Sequence, residues 1–143
     1  MNKLKIYLSS AMQNVEENFQ SWRSACQMLR QNGYYTNLDF IDPINYFNYI
    51  RKQPNTDGQC LDFLMWQIDH CDVLLVNLDY SNSSCGAAME VEHAYCNNIP
   101  IVAYGSKPNT WYNWIRARSS TDIFSDLEDA IDYIHNSYGK VLC

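Results

Sequence analysis

An α/β fold, a parallel sheet with helices on both faces, is predicted by three observations on this chain. Short apolar runs alternate with helical patterns from one end to the other, which parallel strands and their crossover helices require. The run Asp72-Val73-Leu74-Leu75-Val76-Asn77-Leu78 is apolar without alternation, as in a strand covered on both sides. Turn residues (Asn32-Gly33, Asp42-Pro43, Asn97-Asn98) punctuate the runs. Four or five strands are expected, and 143 residues fit one domain, 1–143, long enough to bury a sizeable core.

In chain order, Lys5-Ile6-Tyr7-Leu8 reads as the first strand. A helix from about Glu16 to Gln31 follows, with Phe19, Trp22, Cys26 and Leu29 on one face and Asn32-Gly33 as its stop. Tyr34 to Leu38 is the expected second strand, broken by Asp42-Pro43. From Ile44 to Asp57 the chain is aromatic and polar without clear period, and Pro54 to Gly58 is loop chemistry. A helix from about Gln59 to His70 leads into the strand at Asp72–Leu78, and a helix from Gly86 to Cys96 follows. Ile99 to Tyr104 is a further strand, Trp111 to Arg116 an aromatic segment, Ile123-Phe124 a short edge strand, and Asp126 to Tyr138 a last amphipathic helix.

Composition excludes several classes. An apolar content of 47%, a net charge of −6 and a pI near 4.8 describe a globular protein without the basic patches that a nucleic-acid polymer needs. No apolar run approaches the roughly 20 residues that cross a bilayer, and Met1-Asn2-Lys3 leads directly into a strand, so no membrane partner is expected and the expected compartment is the cytoplasm. The six cysteines form no Cys-x-x-Cys pair and read as free thiols. His70, His93 and His135 form no ligand pattern with any acid, and neither metal nor cofactor is expected.

The segment Ser83-Ser84-Cys85-Gly86-Ala87-Ala88-Met89-Glu90 carries the chemistry. It opens a helix directly after a buried strand. Its small residues let a ligand approach the backbone, and its first amides favour polar or anionic oxygens. In a parallel sheet, ligands bind at the carboxyl ends of the strands, where Tyr7 to Ala11, Asp42 and Ser83 to Gly86 would converge. Most helix glutamates are solvated and most turn serines are caps, so position alone leaves Glu90 and these serines open. Cys85 could act as a nucleophile at a helix start, but no histidine is spaced to assist it.

Taken together, Lys-Ile-Tyr-Leu-Ser-Ser at the N-terminus, Asp42-Pro43, Cys71-Asp72-Val73 and the Gly86-x-x-x-Glu90-x-x-x-Ala94 spacing resemble the nucleoside 2-deoxyribosyltransferase superfamily. The resemblance runs from Lys5 to the last helix. Asn18-Phe19 and Ser84-x-Gly86-Ala87 are also similar to a phage and bacterial branch of it. It implies a flavodoxin-like (Rossmann-like) fold and cleavage of the N-glycosidic bond of 2′-deoxynucleosides through a covalent deoxyribosyl-glutamate, with the sugar passing to another base. On this resemblance Glu90 is the nucleophile, Tyr7 orients it, and Asn113 reaches a neighbouring subunit's site to hold the sugar 5′-hydroxyl. Ser9, Ser10, Asp42, Ser84 and Gly86 are the further expected substrate contacts, by their place at the carboxyl ends of the strands. A homo-oligomer with shared sites is implied, with a deoxynucleoside or deoxynucleotide as its small-molecule partner.

Two positions depart from the family pattern. Where transferases carry an aspartate six residues before the glutamate, this chain has Ser84, as in the sister 5′-monophosphate N-glycosidases. Where the family has an aspartate eight residues before Asp72, this chain has Leu64; Asp62 is the nearest substitute for the leaving-group acid, and Asp69 a poorer one. The alternatives to transfer are therefore hydrolysis of a 5′-monophosphate and a catalytically idle nucleotide binder. Glu92, two positions from Glu90, faces elsewhere and reads as structural or interfacial.

Overall fold

The computed structural model describes residues 3–11, 21–31, 33, 35–50, 53, 57–80, 85–106 and 110–139. Its elements are β1 (Leu4–Ser9), α1 (Ser21–Gln31), β2 (Leu38–Ile41), α2 (Ile44–Ile50), α3 (Asp57–Asp69), β3 (Val73–Asn77), α4 (Cys85–Cys96), β4 (Ile101–Tyr104), α5 (Tyr112–Arg118) and α6 (Leu127–Ile134). A wide-turn segment, His135–Gly139, extends α6. The four strands form one parallel sheet in the order β2-β1-β3-β4. This is the expected α/β architecture. No helix among the described residues is long and apolar enough to cross a membrane.

Alternation along β1 explains the layers. Leu4, Ile6 and Leu8 join Leu38, Phe40, Val73 and Leu75 in a core closed by Trp22 and Cys26 of α1 and by Ala130, Ile131 and Ile134 of α6. Tyr7 takes the other face, with Leu74, Val76, Ile101 and Ala103, under Ile68 of α3, Val91 and Ala94 of α4, and Ile115 of α5. Each large aliphatic buried here contributes roughly 1.5–3 kcal/mol from transfer out of water. Ile50, Cys60 and Leu64 make a satellite cluster between α2 and α3.

The strand at Tyr34–Leu38 is corrected to Leu38–Ile41. The aromatic pair has strand propensity, but residues 35–37 turn, with the Leu38 amide donating to the Tyr35 carbonyl at 3.0 Å. The pairing Leu4↔Leu38 to Tyr7↔Ile41 then places Leu38 and Phe40 in the core. Ile44–Ile50, which has no clear period, is a helix. The Asp42 carboxylate accepts from the Ile44 amide at 3.0 Å, and Pro43 stands where a helix start tolerates it. The aromatic segment is likewise a helix, α5. The edge strand shrinks to a single parallel bridge, Tyr104↔Phe124. Gly33, at φ 85°, stops α1 as expected. Phe19 and the residues from Glu16 to Gln20 lie outside the described residues.

Candidate active site

In the order β2-β1-β3-β4 the chain passes from β1 to β2 on one side and then to β3 and β4 on the other, and in open parallel sheets ligands bind at such a switch point, here the carboxyl ends of β1 and β3. Tyr7, Ser9 and Ser10 come from β1 and the residue after it, and Asp42 from the end of β2. Glu90 descends from α4 on the inward side of the helix that also carries Ala87, Val91 and Ala94. At 2% exposure Glu90 is a buried acid, unlike most helix glutamates.

Its surroundings set its chemistry. The Ser9 hydroxyl donates to Glu90 Oε1 at 3.2 Å. Glu90 Oε2 and the Tyr7 hydroxyl are both closed off from solvent and complete no hydrogen bond of full geometry among the described residues. They are nonetheless close enough to influence one another. Burial pushes the Glu90 carboxyl up to about 7, against the opposing pull of the Tyr7 phenol, the Arg23 charge and the Ser9 hydroxyl. Burial, then the neighbouring Glu90 charge, hold the Tyr7 phenol well above its ordinary range, so it stays protonated.

Arg23 escaped the sequence reading. It is 2% exposed, on the apolar side of α1. Its Nη1 donates to the Leu8 carbonyl at 3.1 Å and to Asp42 Oδ1 at 3.0 Å; its Nη2 donates to Ser10 Oγ at 2.8 Å and to the Ser10 carbonyl at 3.4 Å. The guanidinium also lies 5.0 Å from the centre of the Trp22 ring. A signal was available: Arg23 shares its helix face with Cys26, three positions on, and a charge on an apolar face needs a carboxylate such as Asp42.

The expected residues divide into groups. Glu90, Tyr7 and Ser9 meet directly, and Ser10 and Asp42 join them through Arg23. Gly86 is exposed at the start of α4 beside exposed Cys85. Asp62 is exposed on α3, turned away from the buried stripe of Cys60, Leu64 and Ile68, and none of the contacts of Glu90 involves it. Asn113 is exposed on α5, at an open cavity of about 580 Å³ shared with Arg116, Ala117, Ser119, Thr121 and Asp122. Ser83 and Ser84 lie outside the described residues. Glu92 points away to pair with Arg118, and His93 meets Asp69 at 2.6 Å. Among the described residues no cluster of histidine, cysteine and acids could hold a metal ion. Burial lifts the Cys26 and Cys71 thiols to about 12, which makes both unreactive.

No family model matches the chain, and no curated protein matches it in sequence. Solved structures do resemble it. A 2-desoxiribosyltransferase from Leishmania mexicana superimposes with a TM-score of 0.71 at 13% identity, over 94% of this chain and 99% of its own. A 2-deoxyribosyltransferase from Bacillus psychrosaccharolyticus gives 0.67 at 20% identity, over 96% and 95%. A conserved protein from Enterococcus faecalis V583 gives 0.56 at 16%, over 94% and 87%. The likeness is one of fold, extending over nearly the whole chain.

Proposed function

We propose that this protein is a nucleoside 2-deoxyribosyltransferase-like enzyme acting at the N-glycosidic bond of 2′-deoxynucleosides. The observation that carries the reading is Glu90 itself: a buried carboxylate, poised near neutrality, at the carboxyl end of β1 and held by Ser9 beside Tyr7. A fold shared with 2-deoxyribosyltransferases supports it.

In the proposed reaction an ionised Glu90 oxygen bonds to the anomeric carbon as the bond from that carbon to the base nitrogen breaks. The departing base keeps the bonding electrons and takes a proton. A nitrogen of a second base then attacks the same carbon, loses its proton, and releases Glu90 as a carboxylate. Two inversions give retention. The absence of a 2′-hydroxyl makes the positive charge on the sugar easier to develop. The Tyr7 phenol and Ser9 hydroxyl orient Glu90, and Asn113 of a neighbouring copy holds the sugar. Asp62, exposed on α3, is the proposed acid for the leaving base.

The charges of the described residues favour a neutral nucleoside over a 5′-monophosphate. Among the described residues, Arg23 is the cation that reaches this group, and it is committed to Asp42, Ser10 and Leu8. The monophosphate N-glycosidase reading rests on Ser84 standing where transferases have aspartate. An idle nucleotide binder is favoured by Leu64. Incubation with deoxynucleosides and with deoxynucleoside monophosphates, with and without acceptor base, separates the three by chromatography. Base exchange is the expected result. Release only from monophosphates would install the glycosidase, and binding without turnover would end the enzyme reading.

A further inference from the structure

We infer that Arg23 is the positioning residue of the Glu90 site, clamping the main chain on both sides of Ser9 so that the Ser9 hydroxyl stays aimed at Glu90. Its place in turnover rests on the reading of Glu90 as nucleophile; its hold on Glu90 itself does not.

Along a strand, successive side chains point to opposite faces. Ser9 and Tyr7 therefore face α4, while Leu8 faces α1. Arg23 comes from α1, the far side of the sheet from Glu90, and its fork takes the carbonyls of Leu8 and Ser10, the residues that bracket Ser9. The Ser10 hydroxyl is taken too, at 2.8 Å, and Asp42 anchors the fork from β2. The first carbonyl belongs to the Leu8–Ser9 peptide and the second to the Ser10–Ala11 peptide, so the fork pins the chain before and after Ser9 and limits the direction its side chain can take. A lysine has no such planar fork and could not hold both carbonyls and the carboxylate together.

The guanidinium also acts through space, since its charge lowers the Glu90 carboxyl and the Tyr7 phenol. Among the described residues, Tyr7 and Ser9 of β1 face Glu90 and Arg23 of α1 acts on it from across the sheet, with Cys71 beyond Tyr7 and Asp42 beyond Arg23. On α4, Glu92 and His93 turn away to Arg118 and Asp69. Among the described residues Arg23 is thus the positive charge that lowers the buried acid, next to the Tyr7 phenol.

The test is the titration of Glu90 in the substrate-free protein, followed by carbon NMR of labelled glutamate carboxyls and assigned by comparison with Glu90→Gln. Arg23→Met is expected to raise the midpoint by about one pH unit, and Arg23→Lys by about half as much. In the base-exchange assay Arg23→Lys is expected to cut kcat at least tenfold, with the acid limb of its pH profile moved upward alike. Should Arg23→Met fail to fold, Arg23→Lys decides. A folded Arg23→Lys that titrates and turns over like the wild type overturns the clamp, as does a variant that only melts lower with the Glu90 midpoint unmoved. A shifted midpoint in a protein with no turnover in any form upholds the clamp and defeats the enzymatic reading instead.

Discussion

Glu90 has a cost as well as a use. Its carboxyl titrates near 7 in the folded protein, against 4.5 for an ordinary glutamate. A carboxyl raised by folding binds its proton more tightly in the folded state. It therefore favours folding at pH values below 4.5, and that contribution disappears as the pH climbs through 7, a loss on the order of 3 kcal/mol. Glu90→Gln, which cannot ionise, should melt above the wild type at pH 8 and with it at pH 4; equal melting at both values would contradict a buried charge. The same substitution, or Glu90→Ala, should abolish base exchange. Wild-type turnover should rise with pH through about 7, because the ionised form is the one that attacks in the proposed reaction. Tyr7→Phe removes a group that lowers Glu90, so its acid limb should move to higher pH. At this level the sequence was informative about Glu90, Tyr7 and Ser9, whose strand and helix positions are readable. It was silent on Arg23, because a helix arginine looks solvated until the fold brings Asp42 and the end of β1 to it.

Helices and strands were legible where one face is apolar and a stop signal is strong. α1 and α6 carry their periods in the chain, α3 and α4 are marked instead by the strand and turn signals on either side of them, and β3 is an unbroken apolar run. The failures share a cause. β2 slid by several residues because Tyr34 and Tyr35 have strand propensity, whereas pairing with β1 and the burial of Leu38 and Phe40 set the real register. α2 and α5 are short helices whose apolar residues pack on α3 and β4 rather than forming a long stripe, so their stability is tertiary. Caps are local and readable: the Asp126 side chain accepts from the Asp129 amide at 2.9 Å and starts α6. Asp126→Ala should cost about 1 kcal/mol and lower the melting temperature by about 2–4 °C, measured by calorimetry. At the end of α4, Asn98 holds φ at 60°, so Asn98→Ala should also destabilise, by roughly 1 kcal/mol in urea titration.

The proposed sharing of sites between copies turns on Asn113. It is exposed on α5 and takes no part in the contacts of Glu90 within its own chain, as a residue serving a neighbour's site would be. If sites are shared between two copies, mixing Glu90→Ala with Asn113→Ala chains after unfolding and refolding should restore activity that neither has alone. Random pairing would give about a quarter of the wild-type value. Mixtures as inactive as their parents would confine the site to one chain.

The position of β1 has one more effect, on how the chain is made. β1 lies between β2 and β3, and Ser9 pairs with Val76. Synthesis at roughly 5–20 residues per second puts several seconds between these two residues leaving the ribosome. Through that interval β1 has a free edge toward its missing neighbour, while Leu4, Ile6 and Leu8 wait for α6, the last helix, to close their face. The strand that delivers Tyr7 and Ser9 is thus the stretch of nascent chain most open to mispairing, and the one a chaperone has most reason to hold.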